Sequence, residues 1–354
     1  MNVIKKINVF RGKVLRKLTR NIGSSHLNRR FDLKEEIEIK KILVCRPNHR
    51  LGNLLLITPL LQDIADTLPE ARVDLFVKGS SARTIFKNYD NINNIIQLPR
   101  KPFKNIIDYM KGWLSLAINR YDIVINVVNH SSSGRLSTQY ANAKFKFFGD
   151  INSDITSQYP DYQHMAKYPV YSFRYHLSKL NINASRKPVA NLDLKLTIAE
   201  IENGRKLLNN LINNNRRTIC IFTYATGSKC YSQAWWEEVY NRLKTEYKDF
   251  NIIEILPVEN ISLIGFKAPS FYSKDIREIG SLIANTEVFL GADSGMMHLA
   301  SAVHTPTIGL FKVSKENTYK PYNNKSTSIN TTKENHLEEC IQTINNILQP
   351  TAHV

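Results

Sequence analysis

Short continuous apolar runs alternate along this chain with longer segments in which apolar positions recur at helical spacing. KKILVC at 40–45, RVDLFVK at 72–78 and YDIVINVV at 121–128 are runs of the first kind. They are continuous rather than alternating, which predicts strands covered on both faces, as in a parallel sheet. Segments 54–68, 81–87 and 103–119 carry the helical period, and 92–98 reads as a further strand. The alternation resumes with helix 198–213, strand 218–222, a helix bearing Trp235 and Trp236, strand 251–256, helix 276–283 and strand 288–290. Strand and helix in turn predict a doubly wound parallel sheet, and here the pattern occurs twice. Between the two halves, residues 150–195 are irregular and rich in tyrosine, broken by helix 167–180, and 189–196 reads as a linker. The predicted organisation is an extension at 1–38, a Rossmann-like domain at 39–190, a second at 191–333, and a tail, 334–354, whose helix packs back toward the first domain. A length of 354 residues suits two domains of about 150 each.

One stretch has chemistry of its own. EVFL at 287–290 runs into Gly291-Ala292-Asp293-Ser294-Gly295, which breaks the strand and opens a helix ending before Pro306 and a second buried run, TIGLF at 307–311. Ser294 is placed to cap that helix, and Gly295 lets backbone come close to a ligand. The first-turn amides lack internal partners, so with the helix dipole they form a socket for a phosphate. His298 follows one turn later on the same side. Turns of this kind also occur as plain connections.

Charge changes the picture further. The formal net charge is +17, from 48 basic and 31 acidic side chains, which implies an acidic partner. Residues 1–30 supply nine of those charges and no acid, and Val3, Ile7, Phe10, Val14, Leu15 and Leu18 mark one apolar helical face. A basic amphipathic helix of this form lies in a membrane interface against anionic head groups. Nucleic acid is not expected, because the charge concentrates in this extension and no nucleic-acid module appears. Cys45, Cys220, Cys230 and Cys340 form no CxxC pair, so neither a zinc site nor a disulfide framework is indicated, and a reducing cytoplasm is the expected compartment.

Three ordered blocks carry a resemblance. DSGMMHLASAVHTPTIGLF (Asp293 to Phe311), ILVCRPNHRLGNLLLITPLLQDIADTLPEARVDLFV (Ile42 to Val77) and TYATGSKCYSQAWWEEV (Thr223 to Val239) closely resemble glycosyltransferase family 9, the lipopolysaccharide heptosyltransferases. The resemblance implies a GT-B fold: two Rossmann-like domains facing a cleft. It implies an inverting transfer, usually of heptose from ADP-heptose to a lipid-linked or lipopolysaccharide-core saccharide, with no metal and no cofactor beyond the nucleotide-sugar donor. Donor-binding roles then fall on Thr226, Lys229, Asp293, Ser294, Gly295 and His298. Arg46, Arg50, His130 and Arg135, in strand-end loops, are expected to face the acceptor. The implied location is the cytoplasmic side of the inner membrane, reached through residues 1–30.

One position departs from the family pattern. Its first loop carries a Gly-Asp pair whose aspartate is the catalytic base, and this chain has Gly52-Asn53. An amide cannot take a proton at neutral pH, and losing a general base costs about 10² to 10⁴ in rate. Three routes are open. His49, four residues earlier, or His130 takes the proton; or Asn53 orients the acceptor for an oxocarbenium-like transfer; or the chain binds nucleotide-sugar or glycan without turnover.

Overall fold

The computed structural model describes Ile22, Gly23, Ser25 and residues 37–322 and 324–349. Apart from those first three residues, the predicted basic helix at 1–30 lies outside the described residues. The chain divides into two compact units, one holding Pro59–Ala190 with the described residues up to His49, the other Arg50–Thr58 with Asn191 onward. The segment Arg50–Thr58, expected in the first domain, is therefore part of the second.

The first unit is built on β1 (Lys41–Arg46), β2 (Arg72–Lys78), β3 (Ile92–Leu98), β4 (Arg120–Asn126) and β5 (Asn142–Phe147), ordered β3-β2-β1-β4-β5. Every pairing is parallel. The second unit is built on β6 (Thr218–Phe222), β7 (Asn251–Ile255), β8 (Ser270–Phe271), β9 (Val288–Ala292), β10 (Thr307–Phe311) and β11 (Thr327–Asn330), ordered β11-β10-β9-β6-β7-β8 and again parallel. This is the doubly wound order of a dinucleotide-type domain, in which the direction of winding reverses between its first and fourth strands. Here those strands are β6 and β9, and all five residues of each are buried. Complete burial explains the uninterrupted apolar runs that predicted them.

The carboxyl-terminal helix is a correction. His336–Leu348, expected to pack back toward the first domain, is seated in the second unit. Its apolar face, Cys340, Ile341, Ile344 and Ile347, joins the core formed by Trp236, Tyr240, Leu243 and Tyr247 of the second. The Tyr247 hydroxyl donates to the Ile341 carbonyl at 3.1 Å, and Trp235 Nε1 donates to His336 Nε2 at 3.1 Å. Trp236 is a fully buried core residue, and the half-buried Trp235 packs against the same core.

The linker into the second unit is anchored by Arg277. Its guanidinium pairs with Glu200 at 2.6 and 2.7 Å and donates to the carbonyls of Leu194 (3.0 Å) and Lys195 (2.9 Å). Leu194 N in turn donates to the Ala302 carbonyl at 2.8 Å. Glu200 also completes a capping box with Thr197 at the start of helix Ile198–Ile212. The hydrogen bonds from Arg277 lead in holding its carboxyl down, from 4.5 to about 2. A depressed acid contributes stability that is whole above the unfolded value and lost as pH falls through the folded one. Urea unfolding of wild type and Glu200→Gln should differ most above pH 4.5, and the difference should close as pH falls toward 2. A difference that is the same at all pH values would contradict this assignment.

Candidate active site

Two loops leave the carboxyl ends of adjacent strands in the second unit, where such sheets bind ligands. One follows β6 and runs from Thr223 to Ser232. The other is the Asp293-Ser294 turn after β9 that opens helix Gly295–Ala302. Ser294, in extended conformation, caps the helix by accepting from Met297 N at 3.4 Å. The remaining first-turn amides then point outward, as helix geometry requires.

The loops meet at Lys229, whose Nζ lies 2.5 Å from Asp293 Oδ2. Asp293 is buried, while the lysine side chain is about one-third exposed at 36%. A cation thus stands at the mouth of the amide socket, held there by a carboxylate beneath it. Tyr319, from helix Glu316–Tyr319, joins them: Lys229 Nζ is 5.7 Å from its ring centre, and the buried His298 ring is 6.5 Å away at 61°.

The β6 loop is fixed at both ends. At its start the Thr223 hydroxyl donates to Glu254 Oε1 at 2.6 Å, with Ser262 donating to the other oxygen at 2.6 Å. Glu254 is fully buried, and burial pushes its carboxyl up. Near its end Lys312 Nζ donates to the Cys230 carbonyl at 2.7 Å and sits 4.4 Å from the Tyr231 ring centre. Burial pushes the Tyr231 hydroxyl up to about 12, so it stays protonated beside Thr331 at 2.7 Å. Thr226, exposed, begins the short 3-10 turn Gly227–Lys229.

Asn53 belongs to this same unit. Its segment, predicted as a loop, forms the short helix Leu51–Leu55 and packs directly on helix Gly295–Ala302. The approach is close: a Cβ added to Gly52 would stand 2.6 Å from His298 Cδ2 and 3.3 Å from Gly295 Cα. One added to Gly295 would stand 3.1 Å from Leu51 Cβ. Asn53 and Arg50, which precedes this helix at its cap position, are therefore carried beside the anion socket by glycine-to-glycine contact.

The other predicted residues sit in the first unit. Arg46 ends β1 and is buried, and His49 and His130 are exposed. Arg135 is a correction. It is 2% exposed, and its guanidinium is spent inside the unit: on Asp150 Oδ1 at 2.7 Å, Asn129 Oδ1 at 3.1 Å, the Ile22 carbonyl at 3.1 Å and the Gly23 carbonyl. Asp150 also accepts from Ser25 N at 3.0 Å. Arg135 ties Ile22 and Gly23 to helix Ser132–Tyr140, and its guanidinium is taken up by these internal partners. The prediction also misses Tyr319, in the short helix Glu316–Tyr319, and Lys312, just after β10, because neither has a local signal in the sequence.

Comparison with known proteins adds the following. Residues 274–347 match glycosyltransferase family 9 (heptosyltransferase). Lipopolysaccharide heptosyltransferase 3 of Escherichia coli is 20% identical over 290 residues, spanning 77% of this chain and 84% of that one. A glycosyl transferase family 9 structure from Veillonella parvula superposes with a TM-score of 0.68 at 15% identity, over 88% of this chain and 98% of that one. The E. coli heptosyltransferase WaaC with ADP-2-deoxy-2-fluoro heptose superposes with a TM-score of 0.61 at 14% identity, over 86% and 99%. The shared fold is GT-B, two parallel-sheet α/β domains.

Proposed function

We propose that this chain, similar to the heptosyltransferases of glycosyltransferase family 9, moves heptose from ADP-heptose, with inversion, to a lipopolysaccharide-core or related surface saccharide. The observation that carries this reading is the Lys229–Asp293 pair at the open end of helix Gly295–Ala302. In the reaction an acceptor hydroxyl oxygen attacks the anomeric carbon, and the bond from that carbon to the diphosphate oxygen breaks. The electron pair leaves on the diphosphate. Lys229 and the helix amides meet that developing charge, which is the preorganised electrostatic role such groups fill best. In this reading no metal ion takes part.

The acceptor proton needs a base, and Asn53 is not one. His49 is the proposed base, and Asn53 the group that orients the acceptor. His49→Ala should slow turnover about a hundredfold, at the low end for general-base loss; full turnover in His49→Ala with loss in Asn53→Ala would reverse the assignment. The presence of Asn53 favours a second reading, a noncatalytic nucleotide-sugar or glycan binder. Incubation with ADP-heptose, UDP-sugars and GDP-sugars, with and without core oligosaccharide, separates the two. Acceptor-dependent ADP release that survives EDTA supports transfer; tight donor binding with no release from any donor supports the binder.

With an acceptor of that class, the proposed location is the cytoplasmic face of the inner membrane. No helix among the described residues is long and apolar enough to cross a membrane. The proposed attachment is at the surface, with the cations of residues 1–30 facing anionic lipid.

A further inference from the structure

Helix Ile106–Ile118 of the first unit, IIDYMKGWLSLAI, is apolar on both sides. Its inner face is seated: Gly112 and Leu116 are buried, a Cβ on Gly112 would meet Leu98 Cδ2 at 2.7 Å, and Trp113 packs edge-on to Phe76 at 5.5 Å. The outer face should then be polar, as on an ordinary surface helix. Instead Ile106, Ile107, Met110, Leu114 and Ile118 stand 53–69% exposed. At about 100° per residue they fill one stripe of about 120° along the helix. Tyr140, 49% exposed on the neighbouring helix Ser132–Tyr140, extends the patch through its edge contact with Trp113 at 6.1 Å. Five of the fifteen exposed large apolar side chains among the described residues thus lie on thirteen consecutive positions. A concentration of this kind marks an interaction surface, which scattered apolar residues do not.

Charge identifies what covers it. From residue 100 to 120 the chain carries Arg100, Lys101, Lys104, Lys111 and Arg120 against the single acid Asp108. Arg100, Lys101, Lys104 and Lys111 are exposed, and with Arg83 they line a groove along the side of this helix. An apolar stripe to enter acyl chains, bordered by cations at head-group level, is the design of an interfacial helix. A protein partner would need acids matched to each cation; an anionic bilayer presents them everywhere.

We propose that helix Ile106–Ile118 is a lipid-docking element that seats the first unit on an anionic membrane surface, independently of residues 1–30. It does not rest on the transfer reaction. The full chain should co-sediment with vesicles of phosphatidylcholine and phosphatidylglycerol and less well with phosphatidylcholine alone. Met110→Glu/Leu114→Glu should lower the partition coefficient roughly tenfold or more, with circular dichroism and melting temperature unchanged at these exposed positions. Lys101→Glu/Lys104→Glu should weaken binding to the anionic vesicles and leave the weaker neutral binding alone. Three results would overturn the proposal: no sedimentation of the wild-type chain, unchanged sedimentation of the Met110→Glu/Leu114→Glu variant, or a wild-type dimer that this variant converts to monomer. The last would make the stripe a contact between two copies. No arm uses donor or acceptor, so failure here leaves the transfer reading intact.

Discussion

Lys229→Met should lower kcat/KM for the donor by roughly a thousandfold, the upper end for losing one preorganised charge-stabilising group. The size follows from what the lysine stands on. Its Nζ is 2.5 Å from Asp293 Oδ2, and the carboxylate is buried while the ammonium is partly exposed. Removing the cation takes one positive charge from the leaving diphosphate. It also leaves a buried carboxylate uncompensated beside the amides that are to receive a phosphate, and an unpaired buried charge is costly. Both effects grow as negative charge accumulates on the leaving group, so kcat should fall more than donor affinity. The same argument predicts a non-additive pair: Asp293→Asn placed in the Lys229→Met background should recover part of the lost activity. Steady-state kinetics with a direct donor-binding measurement tests both points. Activity within threefold of wild type in the single variant, or a double variant no better than the single, would remove Lys229 from the site.

That pairing shows where sequence reading reaches and where it stops. The Asp293-Ser294-Gly295 socket is legible because strand, cap and helix are consecutive, and each step has a local physical signal. Lys229 is 64 residues away, and only the resemblance to a family connects it. Buried strands such as β1 and β9 are legible from their unbroken apolar runs. The edge strands β5, NAKFKF, and β11, TSIN, are not: each has one neighbouring strand and keeps polar residues in partly exposed positions. Helix Ser132–Tyr140 begins Ser-Ser-Gly-Arg and reads as a polar loop, although Ser131 caps it by accepting from Gly134 N at 3.1 Å. The last helix shows its apolar stripe in sequence, but a stripe does not say which core will take it. Arg135 fails for the same reason. A loop arginine looks available until Asp150 and two carbonyls more than a hundred residues upstream are brought to it.

Gly52→Val should cost about 1–3 kcal/mol of stability, as overpacking of a closed site does, and lower turnover of the folded protein about a hundredfold. The added Cβ would begin 2.6 Å from His298 Cδ2 and 3.3 Å from Gly295 Cα. Neither neighbour yields easily, since His298 is 4% exposed and Gly295 offers backbone. Nor is helix Leu51–Leu55 free to back away. The Thr58 hydroxyl donates to the Leu55 carbonyl at 2.7 Å and accepts from Asp193 N at 3.1 Å, tying the segment to the linker. The strain therefore falls on the start of helix Gly295–Ala302, whose amides form the socket, and a displacement of about 1 Å at a positioned group costs on the order of 10² in rate. Gly204→Ala separates this from plain instability. Its Cβ would meet the Ser281 carbonyl oxygen at 2.1 Å, where helices Ile198–Ile212 and Ile276–Ile283 cross away from the Lys229–Asp293 pair. It should destabilise the fold while the folded fraction keeps its turnover. Urea denaturation with kcat/KM corrected for folded fraction distinguishes the two variants. If Gly52→Val lost activity only in proportion to its unfolding, as Gly204→Ala should, the contact of Gly52 with Gly295 and His298 would hold the fold together without shaping the donor socket.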